Sequence, residues 1–195
     1  MKKTLLIIVA IALVLWIFAV SKYNNFVVMD EKVKYSWSQV ENQFQRRADL
    51  IPQLVATVSN YASHEKETFE AVTKARSDAL DIDVNIDNLD QIQAFYEKQS
   101  ALTQALSKLM MLQENYPDLK AAPLFSDLQT QLEGTENRIS TERWRYNEQV
   151  LVYNSTVRTF PNNMISWMFG LWKKPVFKSS EWSDTAPDVQ NLFNQ

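Results

Sequence analysis

The residues best suited by type and spacing to metal-dependent chemistry begin at His64. His64-Glu65 resembles the start of a zinc-protease helix, in which two histidines four residues apart bind zinc and the glutamate acts as general base. Thr68 occupies the place of the second histidine, and the 195-residue chain contains one histidine. Because a catalytic zinc needs three protein ligands, the sequence predicts no metalloprotease, and we interpret His64 as a helix-surface or capping residue.

A second pattern, of oxygen-bearing side chains two residues apart, is typical of the start of a calcium loop: Asp81, Asp83 and Asn85. Ile86 stands where such a loop has glycine, and Ile92 where it has a bidentate glutamate. We therefore interpret the segment as a solvated linker between two helices. Asp87 or Asn88 is expected to cap the helix that follows.

The composition of the chain argues against most other classes of enzyme. Two glycines leave no glycine-rich loop to hold a phosphate, and no exposed nucleophile has a plausible base. The absence of cysteine excludes disulfides, thiolate zinc sites and a catalytic thiol. A formal net charge of -3 argues against a nucleic acid as the main partner. The sequence therefore predicts a protein without catalytic activity, cofactor or nucleic-acid partner.

Arg47 is the charged residue whose position indicates a buried role. It lies three residues after Phe44, at the edge of an apolar stripe, where a guanidinium needs a carboxylate partner. The predicted fourth helix carries three candidates beside its own stripe: Glu133, Glu136 and Glu142. We interpret the group as a structural salt bridge that fixes helix register rather than as a ligand site. Asp49 is placed to accept backbone donors if a helix restarts at Pro52.

An uninterrupted apolar run occupies residues 5–20. With one polar residue added at each end, the run reaches the roughly 17 to 25 residues that a helix needs to span a bilayer. The run is also longer than the apolar core of a signal peptide, which has roughly 7 to 15 residues. A cleaved signal peptide is the alternative, because residues 19–21 form an acceptable cleavage site. We predict an anchor over residues 1–22 that contacts the lipid bilayer through residues 4–21.

The lysines around this anchor bear on its orientation. Two precede the apolar run and three follow it closely: Lys2, Lys3, Lys22, Lys32 and Lys34. Lysines favour the cytoplasmic side, and the first two stand at the start of the span. We therefore expect a single-pass protein of the inner membrane, with its N-terminus inside and its soluble domain extracytoplasmic.

Apolar residues three and four positions apart predict four helices after the anchor, over about residues 23–50, 52–80, 89–116 and 124–160. With so little glycine, the chain should be all-α, with these four helices in one domain over residues 23–172 after an N-terminal transmembrane helix. Pro52 is expected to separate the first two helices, because proline costs about 3 kcal/mol inside a helix and little at its start. The alternative is a kink in one rod. We also expect a bend at Asn60 and a close helix approach at Gly134.

The segment after Pro161 is rich in aromatic and apolar residues and ends in Lys173-Lys174. Its interaction candidates are Trp167, Phe169 and Trp172. Such a segment suits a membrane interface or a partner groove, and a lid over the end of the bundle is an equal alternative. If Pro52 separates two antiparallel helices, the fourth helix returns this segment to the bilayer; if Pro52 kinks one rod, the segment lies far away. An extended tail is predicted over residues 173–195.

Two stretches of the chain resemble the LemA family of bacterial membrane proteins. The first runs from Tyr23 to Arg76 and contains Gln45-Arg46-Arg47-Ala48-Asp49-Leu50-Ile51-Pro52. The second runs from Leu128 to Gly170 and contains Leu132-Glu133-Gly134-Thr135-Glu136-Asn137-Arg138-Ile139 and the pairs Tyr146-Asn147 and Tyr153-Asn154. The resemblance implies an N-terminal membrane helix and an antiparallel bundle of four helices. It implies no reaction, since members of the family look like membrane-tethered helical modules.

Two functional hypotheses follow from these patterns. In the first, the protein is a membrane-anchored scaffold or adaptor of the bacterial cell envelope, which binds other membrane or envelope proteins through the aromatic segment or an exposed helix face. In the alternative, it is a self-assembling structural protein, a homo-oligomer that organises the membrane itself. The mass of the complex in mild detergent distinguishes them, because a large homo-oligomer favours the second.

Overall fold

The structure, a computed structural model, describes residues 2–81 and 84–177. Within these ranges the regular elements are all helical: α1 (Lys2–Ser59), α2 (Lys66–Leu80), α3 (Leu89–Met111), α4 (Pro117–Lys120), α5 (Pro123–Arg158) and α6 (Asn162–Met168). A short 3-10 helix, Leu112–Glu114, extends α3. The predicted all-α class is confirmed.

The first part of α1 has the length and composition of a membrane span. An 18-residue stretch of this helix is apolar enough to cross a bilayer, and none of it is buried against the rest of the described chain. The same helix then continues into the folded domain, where Phe26 is its first buried residue. The apolar run and the domain therefore share one helix.

The prediction that Pro52 separates two helices is wrong, because α1 continues through Pro52 to Ser59. Proline lacks the N–H that would bind the carbonyl oxygen of Ala48, four residues back, and its ring crowds that carbonyl. Arg76 of α2 donates from Nε to the Ala48 oxygen over 2.8 Å and so replaces the missing donor. Asp49 has no helix restart to cap; it is exposed and accepts a hydrogen bond from the glutamine four residues earlier.

The chain reverses instead at residues 60–65, beginning at the position where a bend was expected. The N–H groups of Tyr61 and Ala62 both donate to the carbonyl of Val58, which closes the turn. His64 lies exposed in this turn and not on a helix, and the N-cap of α2, Glu65, makes no side-chain capping bond. The interpretation of His64 as a helix-surface or capping residue is therefore wrong, because α2 begins only after it.

Two clusters of buried side chains show how the helices run. The proximal cluster joins the first half of the folded part of α1 to the start of α3, the end of α5 and α6, through Phe26, Trp37, Phe44, Phe95, Tyr146, Val157 and Ile165. The distal cluster joins the end of α1 to α2, the end of α3 and the start of α5, through Ile51, Val58, Val72, Leu106, Leu112, Phe125 and Leu132. Hence α1 and α3 run one way, α2 and α5 run the other, and α5 brings the chain back to the apolar run.

Two expectations about single residues have opposite outcomes. Asn88 caps α3 as predicted, since its side chain accepts hydrogen bonds from the N–H groups of Asp90 and Gln91. Gly134 does not mark a close helix approach: a Cβ added there would meet no described heavy atom within 4 Å. Gly134 lies on the exposed side of α5, which explains why the space beside it is open.

Candidate functional site

Arg47 lies where α1, α3 and α5 meet, and 1% of its surface is exposed. Its Nη1 donates to Glu136 Oε1 over 2.6 Å and to Thr103 Oγ1 over 3.0 Å. Its Nη2 donates to the side-chain and backbone oxygens of Gln99. Gln99 Nε2 donates in turn to the carbonyl of Ala79 in α2 over 3.1 Å. This polar network of Arg47, Gln99, Thr103 and Glu136 therefore joins four helices.

One ion pair balances the charge of the polar network. The carboxylate side chain of Glu136 is 41% exposed and remains solvated, whereas the guanidinium of Arg47 is removed from water. Breaking a buried pair from one side costs about 3–5 kcal/mol, while the intact pair adds little over well-packed apolar residues. Because both terminal nitrogens of Arg47 are directed at acceptors within the protein, the arrangement favours fixed helix register over ligand binding.

The structure places the three predicted glutamates in different surroundings. Glu136 reaches Arg47. Glu133 is exposed and accepts a hydrogen bond from the glutamine one turn earlier in α5. Glu142 pairs with Arg145 over 2.7 Å. Of the candidate carboxylates on α5, the polar network thus contains Glu136, and Glu133 and Glu142 lie outside it.

Gln99 is not among the residues predicted from the sequence, although the chain carries a signal for it. Gln99 lies four residues after Phe95 and three before Leu102, inside the apolar stripe of α3, and it is buried. A buried polar side chain requires hydrogen-bond partners, so its place in that stripe indicates a polar contact in the core. The identity of the partner, Arg47, is not contained in the pattern.

The metal-like patterns of the sequence form no metal centre in the described part of the chain. Within residues 2–81 and 84–177, no three histidine or carboxylate side chains are grouped so that they could hold a metal ion. Asp83 of the calcium-like pattern lies outside the described residues. Asp87, the alternative helix cap, instead binds Lys174.

Residues 171–177, which we call the strap, follow α6 without regular secondary structure and pack along α5. Asn154 of α5 donates from Nδ2 to the carbonyl of Lys174 and accepts the N–H of Lys174 at Oδ1, both over 2.8 Å. Asn147, seven residues earlier, makes the same reciprocal pair with Phe177 over 2.9 and 2.7 Å. Two side-chain amides thus bind the backbone of the strap as a neighbouring strand would. An extended tail was predicted from residue 173, but its described part, residues 173–177, packs against the domain.

The Phe177 ring completes the proximal cluster. It stacks on Trp37 with ring centroids 5.3 Å apart and planes 13° apart. It also meets Tyr96 and Tyr146 edge to face, at centroid distances of 4.7 and 5.0 Å. Offset and edge contacts of this kind add about 0.5–1.5 kcal/mol each beyond buried area, so the strap contributes to the core.

Lys174 lies between two carboxylates, Asp30 of α1 and Asp87 of the linker, and its Nζ is 2.6 Å from each. Asp30 also binds Lys34 over 2.8 Å. Burial alone would raise the pKa of Asp30, but hydrogen bonds from Lys174 and Lys34 outweigh it and lower that pKa. Burial alone would lower the pKa of Lys174, but its bonds to the two carboxylates raise it. Asp30 and Lys174 are therefore both charged at neutral pH.

The aromatic interaction candidates lie beside α1. Phe169 packs against Tyr23 with ring centroids 4.7 Å apart, and Ile165 is buried in the proximal cluster. Trp167 and Trp172 point outward and are 74% and 71% exposed. We expected that a helix continuous through Pro52 would leave this segment far from the apolar run, and this expectation is wrong. The chain reverses at residues 60–65 and not at Pro52, so the segment still returns to the apolar run.

An open groove of about 750 Å³ lies between α1 and α5, which we call the outer groove. It is lined by Val27, Val28, Glu31, Lys32, Tyr35, Ser36, Trp144, Arg145, Glu148 and Gln149. Several of its apolar side chains are exposed, and Trp144 is 64% exposed. The groove begins at Val27, seven residues beyond the last residue of the apolar run, and so adjoins that end of the domain.

Comparison with known proteins gives consistent matches over most of the chain. The LemA family model matches residues 36–191. Magnetosome protein MamQ 2 of Paramagnetospirillum magneticum is 24% identical over 193 residues, which cover 89% of this chain and 71% of that protein. Protein LemA of Metamycoplasma hominis is 25% identical over 175 residues, which cover 90% of this chain and 77% of that protein. Magnetosome protein MamQ of Magnetospirillum gryphiswaldense is 24% identical over 193 residues, with coverage of 89% and 71%.

Proposed function

Because the chain belongs to the LemA family, we propose that it is a membrane-anchored helical scaffold of the bacterial cell envelope, which holds other membrane proteins and catalyses no reaction. The anchor is the apolar run of α1, and the membrane is the inner membrane. The N-terminal lysines, Lys2 and Lys3, favour an inside N-terminus and an extracytoplasmic domain.

The continuity of α1 is the observation that carries this proposal. The helix has 58 residues and is therefore roughly 87 Å long at 1.5 Å per residue. Its first part is apolar and unburied, and its second part contributes to both buried clusters. A domain that shares a helix with its anchor keeps a fixed height and direction above the membrane. A rigid connection of this kind between anchor and domain suits a protein that positions other membrane proteins.

The outer groove is the surface that we assign to the partner. Val28, Tyr35 and Trp144 expose apolar surface there, close to the lipid-facing run. The occupant is a helix of another membrane protein that continues out of the bilayer beside α1, because the groove begins directly above the span and follows α1 and α5. An amphipathic helix in such a groove would bury the exposed Trp144.

Site-specific photocrosslinking in native membranes tests this assignment. A photoreactive phenylalanine derivative replaces Tyr35 in the full-length protein. The matched control places the derivative at Leu124, which is also exposed but lies in the first turn of α5, far from the outer groove. The proposal predicts a crosslink to another membrane protein from position 35 and none from position 124. A crosslink to a second copy of the chain would overturn it in favour of self-assembly, and equal crosslinking at both positions would overturn the choice of groove.

A further inference from the structure

The aromatic segment at residues 160–172 lies beside the end of the apolar run. The link is the ring contact between Phe169 and Tyr23, with centroids 4.7 Å apart. Tyr23 follows the last residue of the apolar run by three positions, which is roughly 4.5 Å along a helix. An interfacial segment buries its apolar face about 5–10 Å into the boundary between lipid headgroups and acyl chains, so a segment roughly 4.5 Å beyond the apolar run lies within reach of that boundary.

The side chains of this segment divide into an inner and an outer set. Ile165 and Ser166 are buried, and Ser166 Oγ donates to the carbonyl of Val157 over 3.1 Å. The outer set is large, apolar and exposed: Phe160, Met164, Trp167, Met168 and Trp172. So many apolar side chains beside one another are unusual on a protein surface that faces only water.

The outer set is held in place by the backbone around it. Gly170 has a φ of 65°, a left-handed conformation that ends α6 and turns the chain back. The N–H of Leu171 donates to the carbonyl of Ser166 over 2.9 Å, which closes that turn. Beyond it, the clamp of Asn154 on Lys174 fixes the strap, and Trp172 stands between these two fixed points.

We propose that residues 160–172 form a second membrane contact, in which the outer set inserts into the headgroup region of the leaflet from which α1 emerges. This inference rests on the membrane anchor of the proposed function. Tryptophan favours the interface because its ring is apolar and its N–H can bind water or headgroups. Two contacts, the span and this segment, hold the domain against rotation about the anchor and give the outer groove a fixed direction in the membrane plane.

The charges near the segment specify the kind of lipid surface. Lys173-Lys174 reads as a basic pair in the sequence, but the structure commits Lys174 to Asp30 and Asp87. Lys173 is exposed. Two further basic residues lie close in the chain, Lys22 beside Tyr23 and Arg158 two residues before Phe160. The outer set itself is large and apolar, so its insertion, and not attraction to anionic lipid, is the main source of binding. Vesicles of neutral phosphatidylcholine therefore suffice.

Fluorescence quenching in vesicles tests the second contact on the full-length protein. The chain has no cysteine, so a single cysteine can carry an environment-sensitive label. Three variants are compared in phosphatidylcholine vesicles: Met168→Cys in the outer set, Leu13→Cys in the span and Leu124→Cys at the distal end, all exposed in the described chain. Quenchers are attached to the lipid near the headgroup or deep in the acyl chain, and iodide serves as the aqueous quencher.

The inference predicts loss of emission from position 168 with the shallow lipid quencher, from position 13 with the deep one, and from position 124 with iodide alone. If position 13 is quenched by lipid but position 168 responds only to iodide, the second contact is overturned while the anchor stands, and the aromatic face is then a protein-docking surface. If position 13 escapes both lipid quenchers, the anchor fails and the inference fails with it.

Discussion

Arg76 Nε lies 2.8 Å from the carbonyl oxygen of Ala48, the acceptor that Pro52 leaves without a helical donor. This hydrogen bond joins α2 to α1 and accompanies a proline in the interior of a 58-residue helix. Through Pro52, α1 passes from the apolar run into the distal cluster, and this bond satisfies the acceptor that the proline leaves free. The accommodation of Pro52 therefore involves a contact between α2 and α1 and not α1 alone.

Loss of Arg76 should destabilise the domain only where Pro52 is present. Arg76→Ala is expected to lower the free energy of unfolding by about 1–3 kcal/mol, the cost of leaving a buried acceptor unsatisfied. In a Pro52→Ala background the new N–H can bind the Ala48 carbonyl, so the same substitution should cost less. Chemical denaturation followed by circular dichroism measures both losses. Equal losses in the two backgrounds would show that Arg76 does not serve the carbonyl freed by proline.

The two charged members of the polar network, Arg47 and Glu136, should contribute to stability as a coupled pair. Glu136→Ala leaves the buried guanidinium of Arg47 without its carboxylate and is expected to cost about 3 kcal/mol. Arg47→Ala should cost a similar amount, with a coupling of about 0.5–3 kcal/mol in the double mutant. The matched control is Glu133→Ala, one turn away on the exposed face of α5, for which we expect a change within about 0.5 kcal/mol. Additive losses, or a control as costly as Glu136→Ala, would contradict the pairing.

Gly134→Ala should stabilise the protein. The glycine lies in the interior of α5, and an added Cβ meets no described heavy atom within 4 Å. Alanine is favoured over glycine in a helix interior by about 1 kcal/mol, so the unfolding midpoint should rise accordingly. A destabilised variant would indicate that another molecule approaches α5 closely at this point, which is what a helix-packing glycine would do.

The strap should be most stable over a broad neutral range of pH. The pKa of Asp30 is lowered from its ordinary value of 3.8, so its contribution is complete above that value and is lost as the pH falls through the lowered pKa. The pKa of Lys174 is raised from 10.5, so its contribution is complete below that value and is lost as the pH rises through the raised pKa.

Subtracting the unfolding free energy of Lys174→Met from that of the original protein at each pH isolates this contribution. The difference should be flat between 3.8 and 10.5 and should shrink outside those limits. Lys173→Met is the matched control, because Lys173 is exposed and adjacent in sequence. A difference that changes with pH near neutrality would contradict the assignment of the ion pairs.

The orientation of the domain can be measured because the chain lacks cysteine. Ser126→Cys places a thiol on the exposed surface of α5, far along the chain from the apolar run. We expect a membrane-impermeant maleimide to label it in intact cells, since the N-terminal lysines favour an inside N-terminus. Labelling only after lysis would place the domain in the cytoplasm and would contradict the proposed orientation.

The spacing of apolar residues predicts most of the helices, whereas contacts between residues far apart in the sequence could not be predicted. Apolar spacing located the helices of the domain because a buried face repeats every 3.6 residues. The cap at Asn88 was predictable for the same reason, since the atoms involved are neighbours in sequence. The prediction at Pro52 is wrong because the donor that accommodates the proline, Arg76, comes from another helix. The clamps of Asn147 and Asn154 involve residues 30 and 20 positions away, respectively, and nothing local indicates them.

The most direct test of the scaffold proposal is the mass and composition of the full-length protein purified from native membranes in mild detergent, with Trp144→Ala and Leu124→Ala purified in parallel. If the scaffold proposal is correct, a second membrane protein co-purifies in a fixed ratio, is lost with Trp144→Ala and is retained with Leu124→Ala. A mass made only of copies of this chain, or a second protein retained in both variants, would contradict it.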